Sequence, residues 1–441
     1  MNYLYILFGF EIIYISAAII VSKRDLLSIS FISGCCFWLA ILCNIINEKR
    51  WEIVFHYNTF IVIVLGQLAM LAGENLATLM PRFSIGKINR KIKAGKLSLD
   101  EEPEGILTIA DWKHYALAMF NTFFFMLFLI TVMKHGFSLA AIALYKEEND
   151  GLANMNVFVQ QSFRFLIACA IFYAFLILYN AILFRSFSKH DFVFCIYTNL
   201  LASLESILAA SRRNIIVILV AWFVIFVVLD NKKNGWTNHI PVKMLKKCVV
   251  FLCVLMVVFR NLHSILKSAA SNLDGLFNYV TYYIGCPIQT LNVYFERHNE
   301  AVRSQYWGQY TLPSLSSYLK LMPNGTDSSF GFVYLGGRAN AASNVYTFFL
   351  APLQDFGMVG MIVFTFAVGF VYSRFYYKGI RCRAMNYKMA YKLCVYSFIY
   401  WVIPLAFYLN GMFFIIAPTC LISMACFYLI FLFAFKLDFR K

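Results

Sequence analysis

Long apolar stretches alternate with short polar segments along almost the whole chain. A helix needs about 20 apolar residues to cross roughly 30 Å of hydrocarbon, so each stretch predicts a membrane-spanning helix. The eleven predicted spans cover residues 3–21, 26–46, 53–72, 115–133, 158–183, 192–209, 214–229, 248–259, 345–371, 393–409 and 412–435. The pattern therefore predicts an all-α polytopic membrane protein.

One long polar segment, residues 260–343, interrupts this pattern. It divides the chain into N-terminal transmembrane helices (1–259), a large loop (260–343) and C-terminal transmembrane helices (344–441). Its cationic residues lie among aromatic residues and glycines: Arg260, His263, Arg297, His298, Arg303 and Arg338. A second charged segment, residues 81–105, fits either a helix on an anionic membrane surface or a solvated loop.

Composition agrees with a membrane protein and excludes an ordinary soluble domain. Hydrophobic residues make up 61% of the chain, charged residues 14%, and the mean hydropathy is +0.69. A water-facing surface needs far more charge than this. The net charge of +16 is better explained by basic cytoplasmic loops than by nucleic-acid binding.

The distribution of basic residues predicts the orientation of the chain in the membrane. If the turn at Lys23 is cytoplasmic, alternating spans place 25 of the 38 basic residues on the cytoplasmic side. Basic residues favour that side. We therefore expect the N-terminus and the 260–343 loop outside and the C-terminus inside.

Several kinds of chemistry have no motif in this sequence. Nucleotide-binding Walker motifs, paired Cys or His spacings for a metal, the GxSxG nucleophile turn and a D-x-D pair are all missing. Only Cys286 lies in the 260–343 loop, so a disulfide framework within that loop is excluded. An enzyme of this composition is expected to use an activated, lipid-borne donor, with cationic side chains and no cofactor.

Arginine side chains are the strongest candidates for binding an anionic substrate. A guanidinium presents a fixed fork of donors that matches phosphate oxygens. The candidates for binding a pyrophosphate are Arg212, Arg213, Arg297, Arg303 and Arg338.

Four of these arginines also have a simpler interpretation, which the sequence leaves open. Arg212 and Arg213, at a predicted helix-hairpin tip, can reach lipid phosphates. Arg303 can pair with Glu300 on a helix surface. Arg338 follows two glycines and fits an ordinary turn.

Glu296 and His298 are the candidates for a general base acting on a sugar hydroxyl. That role requires a side chain within hydrogen-bonding distance and a tuned pKa. For His298 the alternative is a solvated side chain without a catalytic role.

Two charged residues, Arg164 and Asp355, lie inside predicted spans, where charge is costly and usually functional. Asn344 and Asp355 are about three helical turns apart, so a continuous helix would place them on one face. Pro352 is expected to kink that helix. A structural ion pair between Asp355 and an arginine is the competing interpretation.

The C-terminal part carries a resemblance to a known family. The run Asn344-Val345-Tyr346-Thr347, followed by Asp355-Phe356-Gly357 and Gly360 after a large outer loop, resembles the oligosaccharide repeat-unit (O-antigen) polymerases of the Wzy family. The spacing of Arg297 and Gly308 is similar to that family's arginine-to-glycine pattern. The glycine that commonly stands beside the family's helix-end arginine is missing at Arg212 and Arg213.

The resemblance implies a hexosyltransferase of the bacterial inner membrane with a GT-C-like architecture, no metal and a periplasmic active site. Such an enzyme, acting in lipopolysaccharide biosynthesis, transfers a glycan from undecaprenyl pyrophosphate to the non-reducing end of another lipid-linked repeat unit. Arg164, Asn344, Tyr346 and Asp355 would support the site. The implied partners are the lipid-linked oligosaccharide, membrane lipids and a chain-length regulator.

Two other functions compete with this one. An O-antigen ligase uses the same donor but transfers the glycan to lipid A core, and the residues do not separate it from a polymerase. A repeat-unit flippase is a transporter without chemistry, and the long outer loop disfavours it.

Overall fold

A computed structural model describes most of the chain. The described residues are 2–80, 105–136, 156–209, 212–236, 276–323, 325–337, 342–381 and 385–436. The predicted span at 248–259, the charged segment 81–105 apart from its last residue, and the residues Arg260, His263 and Arg338 lie outside these ranges. The side chain of Arg212 also lies outside the described part.

The regular structure of the described residues is helical, apart from one two-stranded ladder. In chain order the elements are α1 (Tyr3–Val21), α2 (Ile29–Trp51), α3 (Tyr57–Leu79), α4 (Asp111–Val132), α5 (Val157–Leu183), α6 (Lys189–Leu208), α7 (Arg212–Lys233), α8 (Leu276–His298), α9 (Pro313–Tyr318), β1 (Val333–Tyr334), β2 (Ala342–Ser343), α10 (Leu350–Arg374), α11 (Tyr387–Ile399) and α12 (Pro418–Phe435). Strands β1 and β2 pair antiparallel, with Val333 opposite Ser343.

Nine helices within the described residues are long and apolar enough to cross a membrane. They coincide with nine of the predicted spans, and they identify the protein as a membrane-embedded α-helical protein. The predicted span at 393–409 differs, because α11 is a 13-residue helix that ends at Ile399 and continues into 3-10 and turn structure. At 1.5 Å per residue, such a helix is shorter than the hydrocarbon thickness.

The chain forms two compact units. Unit 1 comprises Met1–Pro81, Asn238–Lys378 and Val402–Pro418, and it contains α1–α3 and α8–α10. Unit 2 comprises Arg82–Thr237, Gly379–Trp401 and Thr419–Lys441, and it contains α4–α7, α11 and α12.

Glycines allow α3 and α10 to pack closely in unit 1. A Cβ atom at Gly73 would lie 2.2 Å from the carbonyl oxygen of Phe366, and one at Gly369 would lie 2.4 Å from that of Met70. Small residues commonly permit such approaches between helices in membranes. Helices α3 and α10 are therefore tightly packed against each other in unit 1.

Two carboxylates buried in unit 1 are fully bonded within the protein. Glu74 accepts hydrogen bonds from the backbone N–H of Ser30, at 2.8 Å, and from the hydroxyl of Tyr377, at 2.9 Å. Asp25 accepts from the Tyr376 hydroxyl at 3.0 Å. Because burial of an unbonded polar group is costly, these contacts fix the neighbouring helices to one another.

In unit 2 the central element is α5, which is buried along most of its length. Helices α4, α6 and α7 pack around it. Asn180, near the end of α5, is hydrogen-bonded to both backbone groups of Leu107, which precedes α4. These contacts bring the beginning of α4 and the end of α5 together.

The structure corrects two expectations about the 344–371 segment. Residues 344–347 are not helical and α10 begins at Leu350, so Asn344 and Asp355 do not share one helix face. Pro352 lies in the first turn of α10, where its missing N–H is not needed. The helix is interrupted instead at Gly357, whose φ of +72° and ψ of −174° are not helical.

The 260–343 segment contains a long helix, although the sequence predicted a loop. Helix α8 spans 23 residues; Tyr279 and Tyr282 are buried in its first half, and residues 285–295, which include Cys286, are all buried. It packs against α2 in unit 1. It is not among the helices apolar enough to be candidate spans.

Candidate active site

The C-terminal end of α8 carries the predicted residues Glu296, Arg297 and His298, and all three side chains are exposed. Buried Asn292 holds this end in place. Its amide nitrogen donates to the carbonyl oxygen of Val54 at 2.9 Å and to Glu296 at 2.7 Å, and its amide oxygen accepts from the backbone N–H of His56 at 2.7 Å. The last turn of α8 is therefore fixed to the beginning of α3.

The environment of Glu296 makes its carboxyl group easier to protonate than an ordinary glutamate. Partial removal from water raises the pKa of this carboxyl group, while the hydrogen bond from Asn292 and the charges of His56 and Arg297 oppose that shift. A carboxyl group with a raised pKa is suited to accept a proton near neutral pH.

The chain folds back over α8 after residue 298 and does not continue as a helix. The hydroxyl of Tyr294 accepts from the backbone N–H of Val302 at 2.7 Å and from the side-chain amide of Gln354 at 2.9 Å. The His298 ring centroid lies 5.0 Å from that of Tyr294. Tyr294 thus links the end of α8, the following loop and the beginning of α10.

Arg303 lies against the interruption in α10. A Cβ atom at Gly357 would be only 2.5 Å from Nη2 of Arg303, so the guanidinium occupies the space that glycine leaves. The neighbouring backbone N–H of Ser304 donates to the Gln354 carbonyl oxygen at 3.1 Å. Because residues 299–304 are not helical, the expected helix-surface pair between Glu300 and Arg303 is wrong.

Asp355 binds backbone and not an arginine within the described residues. Its carboxylate accepts from the N–H of Thr311 at 2.7 Å and from the N–H of Tyr310 at 3.1 Å. The competing interpretation, an ion pair with an arginine, is not found in the described part of the chain. Asp355 therefore positions the loop that follows Arg303.

Tyr346 faces the same region, whereas Asn344 is exposed. The Tyr346 hydroxyl donates to the Gly331 carbonyl oxygen at 3.3 Å. Burial raises the pKa of Tyr346 to about 12, and the positive charge of Arg297 opposes this shift. Tyr346 is therefore a neutral hydrogen-bonding group, and the charge of Arg297 acts on it.

Aromatic rings form a continuous group beside these residues. Phe330 has its ring centroid 4.8 Å from Tyr310 and 5.0 Å from Tyr346. Further aromatic side chains of the same segment are exposed: Trp307, Tyr318, Phe332 and Tyr334. Exposed aromatic rings next to polar groups are common at binding surfaces.

Gly308, the second member of the arginine-to-glycine pattern, has a structural reason for its identity. Its φ is +65°, and a Cβ atom there would lie 2.8 Å from Oγ of Ser316. That hydroxyl donates to the Trp307 carbonyl oxygen at 2.8 Å. A side chain at position 308 would disturb this turn and the loop that Asp355 holds.

Three further predicted arginines, Arg164, Arg212 and Arg213, belong to unit 2. Arg213 lies at the beginning of α7, with its guanidinium 5.6 Å from the Trp401 ring centroid. Arg164, in α5, donates to the side-chain oxygen of Gln161 and lies within range of the Arg213 charge. Arg212 is the first residue of α7. The predicted arginines are thus divided between the two units.

Three residues of this site were missed by the sequence prediction: Asn292, Tyr294 and Gln354. Asn292 and Glu296 are four residues apart, a spacing that places side chains together on a helix. This spacing could have indicated the pair, but only if residues 276–298 had been predicted to be a helix. Tyr294 and Gln354 meet only through the tertiary fold.

No known protein family, curated protein or solved structure matches the chain. The resemblance of the sequence to the Wzy-family polymerases therefore stays an expectation.

Proposed function

We propose that the protein is a membrane glycosyltransferase that polymerises lipid-linked oligosaccharide repeat units. The observation that carries the proposal is the grouping of Arg297, Arg303 and Glu296 at one end of unit 1. Both arginines are exposed, and neither forms an ion pair within the described part of the chain. They are available to bind an anionic group, and a carboxyl group of raised pKa lies beside Arg297.

The proposed reaction breaks the bond between the anomeric carbon of the donor glycan and its polyprenyl diphosphate. An acceptor hydroxyl attacks that carbon, Glu296 takes the hydroxyl proton, and the diphosphate leaves with the bonding electron pair. Arg297 and Arg303 stabilise the negative charge on the departing oxygen, because charge-assisted hydrogen bonds from guanidinium strengthen as that charge develops. His298, beside Tyr294, is the second candidate for the base.

The aromatic side chains support a glycan substrate. Sugar rings have apolar faces that pack on aromatic rings and hydroxyl groups that bond to polar neighbours. Trp307 is 48% exposed, and Tyr318 is 79% exposed, so both offer surface beyond what the fold buries. Asn344, two residues before Tyr346, supplies an exposed amide.

The proposal includes an orientation in the bacterial inner membrane. The arginine-bearing end of unit 1 faces the periplasm, as the distribution of basic residues predicts, and the C-terminus is cytoplasmic. The donor is undecaprenyl-pyrophosphate-linked oligosaccharide, and a chain-length regulator is the expected partner.

Deleting the gene from its bacterial host tests the proposed function. A polymerase mutant is expected to carry a single repeat unit on its lipopolysaccharide core, and the cloned gene should restore long chains. Bare core with lipid-linked polymer would instead identify a ligase. Repeat units trapped on the cytoplasmic side would identify a flippase, and either result would overturn the proposal.

The pH dependence of the purified enzyme tests the role of Glu296. A general base must be ionised to accept a proton, so activity should fall as the pH falls through the Glu296 pKa. Because that pKa is raised, the fall should occur above about pH 4.3, the ordinary pKa of glutamate. Glu296→Gln is expected to lower the rate about 10²- to 10⁴-fold and to remove this part of the profile.

Glu300→Gln is the matched control, because Glu300 is an exposed carboxylate four residues further along the chain. It should keep both the rate and the acidic part of the profile. If the Glu296→Gln profile keeps the same acidic fall, the base is another group, and His298→Gln becomes the deciding variant.

A further inference from the structure

Two histidines and an aspartate come together in unit 2, far from the arginines of unit 1 in sequence. His114 lies in the first turns of α4, and His190 and Asp191 lie in the first turn of α6. One ligand atom from each side chain lies within 4.8 Å of the others. We call these residues the His114–His190–Asp191 cluster.

The contact between His114 and Asp191 is unusual for a hydrogen bond. Nε2 of His114 is fully buried and lies 3.0 Å from Oδ1 of Asp191, yet it has no hydrogen-bond partner of acceptable geometry. Two ligand atoms that each lie about 2.0–2.2 Å from one metal ion are roughly 3 Å apart, and both point at the ion and not at each other. The pair is therefore arranged as two ligands of one ion would be.

The other nitrogen of His114 is held by a tyrosine. Nδ1 lies 3.0 Å from the Tyr173 hydroxyl of α5. In metal sites, the ligating histidine usually donates its second N–H to an oxygen, which fixes the ring and its tautomer. With Nδ1–H donating to Tyr173, Nε2 carries a lone pair that is free to bind a metal.

His190 completes the set and leaves the cluster open on one side. Its side chain is 41% exposed, and its ring plane is nearly perpendicular to that of His114, with the centroids 5.1 Å apart. Its Nδ1 lies 3.6 Å from Oδ1 of the exposed Asp111. Three protein ligands therefore leave room for water or Asp111 as the fourth.

We propose that the His114–His190–Asp191 cluster binds a divalent transition-metal ion of the Zn²⁺ class. Imidazole and carboxylate ligands suit Zn²⁺, which accepts three protein ligands and one further oxygen. The ion links the beginnings of α4 and α6. The sequence predicted no metal site, because 76 residues separate the two histidines and no local spacing reveals them.

The test uses the full-length protein, purified in detergent without a histidine tag and stripped of metal by a chelator. Titration with Zn²⁺ against a chromogenic chelator should give one site per chain, and Zn²⁺ should raise the temperature of thermal unfolding. Co²⁺ in place of Zn²⁺ should produce visible absorption bands from nitrogen and oxygen ligands.

Three variants and one control separate ligation from folding. His190→Gln alters a partly exposed side chain, and Asp191→Asn keeps the side-chain shape, so both should fold. Each is expected to weaken Zn²⁺ binding more than about 100-fold, and Tyr173→Phe about 10- to 100-fold. His298→Gln, an exposed histidine of unit 1, should bind Zn²⁺ like the wild type.

Two results would overturn the proposal. The first is a wild-type protein that binds no Zn²⁺ and gains no thermal stability from it, which leaves only a close contact between His114 of α4 and Asp191 of α6. The second is unchanged Zn²⁺ affinity in both His190→Gln and Asp191→Asn. Neither result bears on glycan transfer, because the residues proposed for transfer, Glu296, Arg297 and Arg303, belong to unit 1.

Discussion

Arg297→Ala is expected to lower glycan transfer about 10²- to 10³-fold, the usual cost of removing one donor that stabilises a developing negative charge. The side chain is exposed and forms no ion pair within the described residues, so its removal should leave the fold intact. Arg297→Lys keeps the charge but loses the planar fork, and it should recover only part of the activity. Transfer is measured with purified protein and a lipid-linked repeat unit, and chain length is measured in cells.

Lys49→Ala is the matched control for Arg297→Ala. Lys49 lies in the last turn of α2 in the same unit, is exposed, and loses the same charge when replaced. Activity and protein amount should both match the wild type. Wild-type chain lengths in Arg297→Ala would remove this residue from the diphosphate site, and equal losses in both variants would show that net charge alone matters.

Hydropathy predicted the membrane-embedded part of the fold because helix length in a bilayer is set by its thickness. It could not predict where α11 ends, since the turns after Ile399 depend on tertiary contacts. One such contact is the hydrogen bond from the Phe348 N–H to the Ala406 carbonyl oxygen, at 2.9 Å. Hydropathy also failed to predict α8, because this helix is too polar to be a candidate span and was assigned to the loop.

The chemistry of the site was only partly readable from residue types. Glu296, Arg297 and His298 are adjacent in sequence, so they stay together in any local structure. Asp355 was expected to meet a side chain of opposite charge, but its partners are backbone N–H groups 44 and 45 residues away. Every residue except proline has a backbone N–H group, so the sequence does not show which of them bind Asp355. The contact between His114 and Asp191 could not be predicted either, because these residues are far apart in sequence and meet only in the folded protein.

Gly357→Ala is expected to affect both the stability and the activity of unit 1. The φ of +72° and ψ of −174° at this position lie in a region that only glycine adopts readily, and a residue with a side chain there costs about 1–3 kcal/mol. The added methyl group would also lie 2.5 Å from Nη2 of Arg303, so the guanidinium must move. We expect a lower temperature of thermal unfolding and a loss of transfer activity.

A double mutant separates the two effects. If the methyl group lowers activity by displacing Arg303, its effect requires the Arg303 side chain. In a protein that already carries Arg303→Ala, Gly357→Ala should then cause almost no additional loss of transfer activity. The strain on the backbone should still lower the unfolding temperature in that background. Gly331→Ala is the control, because a Cβ atom there meets nothing within 4 Å. Fully additive losses of activity would mean that Gly357 serves the site by some route other than the position of Arg303.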